Sequence, residues 1–443
     1  MRTLAVEGTS EWDELRERAR EIKRTTIENL DYYLLMLEES LTREGCRVHW
    51  AGDAEEAREI ILGIARDNGV KRVVKSKSMA TEEIELNQAF AEAGIKAVET
   101  DLGEYIIQLA GEHPSHIIAP AIHKTMDGVA RLFAEKLGVP VYGNPEELAQ
   151  VARMRLRGEF IEADMGVSGV NFAVAETGTI VIVENEGNAR FTTTLPRIHV
   201  ALMGMEKVIP RLEDLPLFLN LLIKSATGQK LTSYVSLITG TRREGEIDGP
   251  TEVHLVILDN GRSRILADPE ARESLFCLRC GACLNVCPVY RQVGGHSYGG
   301  VYSGPIGAII TPQLMGLERA GELPFASTLC GACREVCPVR IDIPRVLINL
   351  RTSAVSRGAN TSCRWKRFAE WLGVKMWRLI MENRTLFSMA VRVAYLLQKP
   401  LLPSHKDPTV IKSLPPPLSN WTAGRDFPAV AKESFRKRWG RFK

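Results

Sequence analysis

Eight of the nine cysteines lie between residues 277 and 363, and their spacing is the strongest chemical signal in the sequence. The run CLRCGACLNVCP sets Cys277, Cys280, Cys283 and Cys287 two, two and three residues apart and ends on Pro288. Thiolates so spaced can wrap an iron–sulfur cubane: a short loop supplies three corners, and the cysteine before proline serves a neighbouring cluster. Gly281 leaves space for backbone to approach inorganic sulfide and present amide donors. A second run, LCGACREVCP, repeats the frame with Cys330, Cys333, Cys337 and Pro338, but its leading position holds Ser327. Crossed ligation then assigns Cys277, Cys280, Cys283 and Cys337 to one [4Fe–4S] cluster, and Cys287, Cys330 and Cys333 to the other. The fourth corner of the second is open to Ser327, Cys363, water, a partner residue or nothing, and an empty corner can leave a [3Fe–4S] core. With fewer thiolates it carries less negative charge, so its potential should be the higher of the two.

Paired CxxC motifs also bind structural zinc, but zinc takes four ligands in two pairs, and seven cysteines ending twice in Cys-Pro suit it poorly. The spacing is that of bacterial ferredoxins. Cys46 reads as a buried small apolar residue, and Cys363, after the polar turn GANTS, as structural or a spare ligand. Two adjacent clusters make an electron-transfer unit: each carries one electron, so the pair can accept two and release them singly. Substrate chemistry must come from elsewhere.

The elements that position these loops follow from a chain of 443 residues, 45% hydrophobic and 25% charged, which is ordinary for a globular protein of two or three domains. Nine cysteines grouped this way are not a secreted disulfide framework. The start, MRTLAVEGTSEWDELRERAR, has no apolar signal core, and LFSMAVRVAYLLQKPLL is interrupted by Arg392 and Lys399, so neither export nor a membrane span is expected. A cytoplasmic setting would keep the thiols reduced. Residues 11–40 read as one helix, and DAEEAREIILGIARDNG as another, capped by Asp53 and ended by Gly69. KRVVKS, KAVETD and HIIAPA read as strands, alternating with helices at TEEIELNQAFAEAG (starting at Thr81), LGEYIIQLAG and KTMDGVARLFAEKLG. FAVAETGTIVIVEN, IHVALMG, LTSYVSLITG and EVHLVILDN add strands around the helical EDLPLFLNLLIKSA. The expected organisation is a helical segment over 1–44, an α/β domain with an open parallel sheet over 45–262, a mainly α-helical cluster domain over 263–358, and a tail over 359–443. Within the cluster domain PEARESLF, PQLMGLERAG and PRVLINLRTSAVSRG read as helical fragments.

The tail is distinct. Residues 361–443 hold 17 Lys+Arg against 5 Asp+Glu and five of the seven tryptophans, while the rest of the chain is net acidic. That composition suits docking to an acidic partner or an anionic membrane face, or wrapping the chain's own acidic body. No nucleic-acid motif accompanies the charge. LPPPLSN reads as a stiff linker.

No GxGxxG or GxxxxGK[ST] signature appears, so neither dinucleotide nor ATP chemistry is supported. VGGHSYGGVYSGPIG, between the cysteine runs, reads as tight packing, with His296 structural. Lys75, Lys77 and Ser78 fall at a strand end before a helix, a natural anion site. Asp101 and Glu104, with Glu176 and Glu184, either cap elements or outline a pocket at the carboxyl ends of the strands. His123 and His199 read equally as bases or as core residues.

The order KSKSMATEEIELN, TDLGEYIIQL, PSHIIAPAIH, ETGTIVIVENEGN and TTLPRIHV resembles the LUD domain. Followed by CLRCGACLNVCPVY, GGHSYGGVYSGPIG and LCGACREVCPVRIDIP, it resembles the lactate utilization protein B family (LutB or YkgF-type iron–sulfur proteins) over nearly the whole chain. The resemblance implies a NagB/CoA-transferase-like α/β fold, two clusters on the seven cysteines, and the seven-cysteine pattern with Ser327 as the family's own. It also implies a role with lactate utilization proteins A and C in oxidising L-lactate to pyruvate. No catalytic residue of the LUD domain carries over. The expected function is electron transfer within an L-lactate dehydrogenase-type oxidoreductase complex, toward a downstream acceptor. Two alternatives stand: a ligand-binding LUD scaffold with structural clusters, and a catalytic subunit whose open-corner cluster acts as a Lewis acid.

Overall fold

Runs such as RVVK and HLVIL become strands because β-branched residues fit a pleated surface covered on both faces. The structure, a computed structural model, describes residues 1–357, 364–402, 409–416 and 418–439. The strands of its first part are β1 Arg47–Ala51, β2 Arg72–Lys75, β3 Lys96–Glu99, β4 Met165–Gly169, β5 Phe172–Val174, β6 Thr179–Glu184, β7 Ile198–Gly204, β8 Val208–Ile209, β9 Tyr234–Ile238 and β10 Glu252–Leu258. Among the described residues, six of them form an open, all-parallel sheet in the order β1-β10-β7-β4-β2-β3. β7 is buried at every position. A smaller sheet, β8-β5-β6-β9, is built on the β5–β6 antiparallel pair.

The chain runs outward from β2 to β3 and then crosses back to β4, so the strand order reverses between β2 and β4. Ligands of open α/β sheets bind at the carboxyl side of such a point. The helix Ala54–Asp67 starts where Asp53 accepts the Glu56 N–H at 3.0 Å, as its sequence suggests.

Several elements differ from the sequence reading. The first helix is broken at Asn29 into Trp12–Glu28 and Leu30–Arg43, because Asn29 leaves helical geometry at φ −123. TEEIELNQAFAEAG is two short helices, Met79–Glu83 and Leu86–Glu92, divided by Glu85 at φ 51, and the cap is Ser78 rather than Thr81. HIIAPA is a loop: its backbone is satisfied by side chains instead of a ladder. His116 Nδ1 accepts from the Ile118 and Ala119 N–H groups, and Lys77 Nζ donates to the Ile118 carbonyl at 2.6 Å. PEARESLF contributes only a 3-10 turn, Arg272–Phe276. The helix Pro145–Glu162, absent from the sequence reading, carries an ordinary start signal: Asn144 caps it and Pro145 opens it.

Residues Met1–Asn360 form one compact unit and Thr361–Lys443 another. In the first, the N-terminal helices, the small sheet and the cysteine loops share a continuous core running from Trp12 to Ala354. Short helices Ala282–Val286, Pro288–Val293 and Ala332–Glu335 follow the cysteines, and Gly304–Met315 and Ile343–Arg357 pack beside them. The second unit has helices Arg364–Glu382 and Arg384–Leu397 and a strand pair, Val410–Ile411 with Phe427–Pro428. Its helices leave Trp371, Trp377, Met389 and Leu397 exposed. Cys363, the GANTS turn and Pro417 of the linker lie outside the described residues.

Candidate functional site

The two cysteine runs fold into loops of one design. Arg279 and Leu329, each just before a CxxC cysteine, take left-handed φ values of 63 and 55, and the glycines just after, Gly281 and Gly331, take 70 and 85. Non-glycine residues enter this region only where their surroundings hold them there. The first of these turns aims the Arg279 N–H at Cys277 Sγ, 3.4 Å away. Beyond the Cys-Pro ends of the runs, Tyr290 N–H donates to Cys287 Sγ at 3.5 Å and Ile341 N–H to Cys337 Sγ at 3.4 Å. Such donors stabilise thiolates bound to a cluster.

The thiols fall into two sets. Burial raises Cys280 to about 12, with Cys277 and Cys337 adding to the effect, and burial raises Cys283 with Cys277, Cys280 and Cys337 adding. Burial raises Cys333 to about 11, and the neighbours that add to it are Cys287 and Cys330. Among the described residues no three His, Cys, Asp or Glu side chains gather tightly enough for a single metal ion. The thiols are instead grouped as four and three, near enough to repel when charged. A cationic metal core placed among such thiols would take the place of their protons, so the donor sets fit iron–sulfur clusters. Cys46 is buried and pushed up to about 11 by burial, apart from either set.

A buried charge network joins the sheet to the first loop. Arg262 donates to Glu206 at 2.7 Å and to both oxygens of Glu83 at 2.8 Å; Tyr302 O–H donates to Glu83 at 2.6 Å. Arg279 bonds Glu206 at 3.2 Å and lies 4.3 Å from the Tyr302 ring centre. Burial opposes ionisation of Glu206, yet Arg262 and Arg279 hold it down to about 2. This explains Tyr302 in the glycine-rich segment. Some glycines there serve close packing: a Cβ on Gly295 would collide with the Ser115 carbonyl, and one on Gly307 with the Tyr302 carbonyl.

At the carboxyl ends of β2 and β3 lies a cavity of about 1040 Å³ lined in part by Glu82, Glu99, Glu104, Glu112, His123 and His296. Lys75 donates to Glu99 at 2.6 Å, Thr81 at 2.8 Å and Glu82 at 3.0 Å, all but sealed from solvent. Glu104 is buried and pushed up to about 8 by burial and by Glu99. Glu186 is pushed up to about 7 by burial and by Asp101. His123 and His296, singled out separately in the sequence, meet edge to face with ring centres 4.6 Å apart.

Lys75, Lys77, Ser78, Asp101 and Glu104 thus share one end of the sheet, although Ser78 and Asp101 also act as caps. Lys75 is engaged by carboxylates and is no anion site. Glu184 accepts the Ala189 and Arg190 N–H groups at 2.7 Å, and Glu176 the Leu212 N–H at 3.1 Å, so both are local braces. His199 is a core residue on Ser168 Oγ at 2.8 Å, lowered to about 3 by burial and His254. Glu82 and Glu99 went unread: each is one charge in a polar stretch, and only tertiary folding brings them to the cavity.

Fold and thiols together define an α/β domain joined to a cysteine-rich iron–sulfur module. The sequence matches the LUD domain over residues 34–258, the 4Fe-4S dicluster domain over 273–341, and the C-terminal domain of lactate utilisation protein B over 354–442. It is 48% identical over 431 residues to lactate utilization protein B of Macrococcus caseolyticus (strain JCSC5402), covering 97% of this chain and 89% of that protein. It is 46% identical over 435 residues to lactate utilization protein B of Bacillus thuringiensis (strain Al Hakam), covering 98% and 90%. The chain belongs to the lactate utilization protein B family. A crystal structure of a DUF162 family protein from Deinococcus radiodurans aligns with 52% of this chain and 98% of its own, at a TM-score of 0.29 and 14% identity, too remote to bear on the fold.

Proposed function

We propose that this chain is the electron-transfer subunit of a complex that oxidises L-lactate to pyruvate in the cytoplasm. The observation that carries the reading is the grouping of seven cysteines as a set of four and a set of three within one folded unit. When bound, a pair of clusters would supply single-electron transfer, accepting the two electrons of a hydroxyl-to-carbonyl oxidation and releasing them singly. Cys277, Cys280, Cys283 and Cys337 would hold the first cluster, and Cys287, Cys330 and Cys333 the second. Backbone amides at Arg279, Tyr290 and Ile341 brace the thiolates. Cys330 is exposed, which supports the approach of a redox partner at the second set.

The partners on this reading are subunits of the lactate utilization protein A and C type and a downstream quinone or redox protein. The C-terminal unit, basic and with exposed tryptophans, supplies a docking face for an acidic partner or, peripherally, a membrane. Among the described residues no helix is long and apolar enough to cross a membrane. Chain prepared anaerobically should contain ~8 iron per molecule and give EPR signals on reduction. A colourless, zinc-only protein contradicts the proposal. Removing residues 361–443 should abolish subunit association.

The cavity at the ends of β2 and β3 favours a second reading, ligand binding by the LUD domain with structural clusters. Its mark is Glu104, a buried carboxyl that keeps its proton near neutral pH. On that reading dithionite reduction changes no function and Cys333→Ser only destabilises. A functional response to reduction excludes it.

A further inference from the structure

Ser327 takes, in the second cysteine loop, the place that Cys277 takes in the first. The likeness extends beyond sequence frame. Both loops carry the same pair of left-handed residues, Arg279 and Gly281 in one, Leu329 and Gly331 in the other. The leading side chain accepts the same backbone donor in each: Arg279 N–H reaches Cys277 Sγ at 3.4 Å, and Leu329 N–H reaches Ser327 Oγ at 3.1 Å. A serine hydroxyl therefore stands in the register of a thiolate ligand, braced by the amide that braces the thiolate.

The segment is also fastened. Arg351 donates to the Pro324 carbonyl at 2.8 Å and to the Ser327 carbonyl at 2.9 Å, and its guanidinium lies 5.3 Å from the Phe325 ring centre. The adjacent hydroxyl, Thr328, is engaged with the Cys330 thiol. Ser327 Oγ is thus the oxygen that this loop holds in the register of the missing cysteine.

We propose that Ser327 Oγ is the fourth protein ligand of the second cluster, bound to its remaining iron as an alkoxide. The proposal rests on the two-cluster reading above. On binding, an O–Fe bond forms, the hydroxyl proton leaves to solvent, and no electron moves. A corner closed by the protein is not free to take a substrate hydroxyl, so the second cluster relays electrons and does not act as a Lewis acid.

The test uses the full chain, prepared anaerobically as wild type, Ser327→Ala and Ser327→Cys. Iron content, Mössbauer spectra and EPR in ordinary and ¹⁷O-enriched water are compared, with the first cluster as internal control. The wild type should hold four irons in the second cluster without ¹⁷O broadening. Ser327→Ala should either gain that broadening, as water takes the corner, or lose one iron on mild oxidation. Ser327→Cys should keep four irons and move the distinct iron site toward the character of the other three. Broadening in the wild type, or a Ser327→Ala protein indistinguishable from it, overturns the proposal. If Ser327→Ala loses the first cluster too, it has misfolded, and the wild-type and Ser327→Cys results decide. A wild type with first-cluster signals and no second cluster overturns the two-cluster reading itself, and this proposal with it.

Discussion

The two cysteine loops share a backbone design and differ in setting. The first is sunk in the core. The N-terminal helix Trp12–Glu28 lies over the cysteine at its far corner, with Arg16 donating to the Cys337 carbonyl at 2.9 Å and to the Glu335 carbonyl at 2.8 Å. Lys23, Lys207 and Arg279 act electrostatically on Cys277, Arg2 on Cys280, and Arg16 on Cys337. The second loop has an exposed Cys330 beside half-exposed Phe325 and Leu329, and Cys333 feels its fellow thiols Cys287 and Cys330. One motif used twice therefore gives an enclosed site ringed by cations and a rim site open to solvent at Cys330. If each set holds a cluster as proposed, two effects on the potentials would compete: cations would stabilise the reduced form of the first, while burial and a fourth thiolate would oppose it. For stability the lesson is simpler: both loops reach the core, through Cys280 in one and Cys333 in the other, but only the second has an exposed cysteine, Cys330.

Cutting one ligand from each loop should separate them most strongly. Cys283→Ser places a polar group among buried thiols and removes a ligand of the enclosed set. It should cost the first cluster and most of the soluble folded protein, read by iron content and thermal melts. Cys330→Ser should lower iron by about half while the fold survives. Equal damage from both variants would erase the distinction between core and rim.

Next in size is Arg262→Ala, which leaves Glu83 without its ion-pair partner and Glu206 with Arg279. Removing one partner of a buried ion pair costs about 3–5 kcal/mol, so the urea midpoint should fall sharply. Arg351→Ala should act on the rim loop alone. Losing charged hydrogen bonds to two carbonyls costs on the order of 1.5–3 kcal/mol. Hydrogen exchange should therefore speed up over residues 324–330 and stay unchanged over 277–287.

The smallest effect is one of pH, and it contrasts the two buried carboxyl sites of the sheet. Glu104, raised from 4.5 to about 8, keeps its proton in the folded chain while the unfolded chain releases it. The unfolded state then binds fewer protons between about pH 4.5 and 8, so this group's contribution falls as pH rises through that window. Glu206, lowered to about 2, does the reverse: its contribution is present above pH 4.5 and is lost as pH falls toward 2. Glu104→Gln should flatten the decline in denaturant midpoint between pH 5 and 8 and leave the acid limb in place. An unchanged alkaline slope would remove Glu104 as its source.

What the sequence revealed follows the same division between local and distant. Spacing is a local property, so the repeated cysteine frame and the place of Ser327 in it were legible from CLRCGACLNVCP and STLCGACREVCP alone. The parallel sheet was legible in part: β2, β3, β7 and β10 read as short apolar runs, whereas the half-exposed β1 and the glycine-bearing β4 did not. HIIAPA misled because it is just such a run, yet His116 and Lys77 satisfy its backbone and no neighbour strand is needed. The cavity was half legible: Glu104 and His123 were singled out in the sequence, while Glu82 and Glu99 reach it through folding. The Arg262 network that ties the sheet to the first loop joins residues from Glu83 to Tyr302, beyond any local pattern.

The central claim is that seven cysteines hold two clusters, four in the enclosed loop set and three at the rim. Iron and sulfide analysis with Mössbauer spectroscopy on the anaerobically prepared full chain tests it most directly. The account predicts ~8 iron per chain in two spectrally distinct clusters, one with four equivalent thiolate-bound sites and one with a single distinct iron. Iron near four per chain in one uniform cluster, or zinc in place of iron, would contradict it.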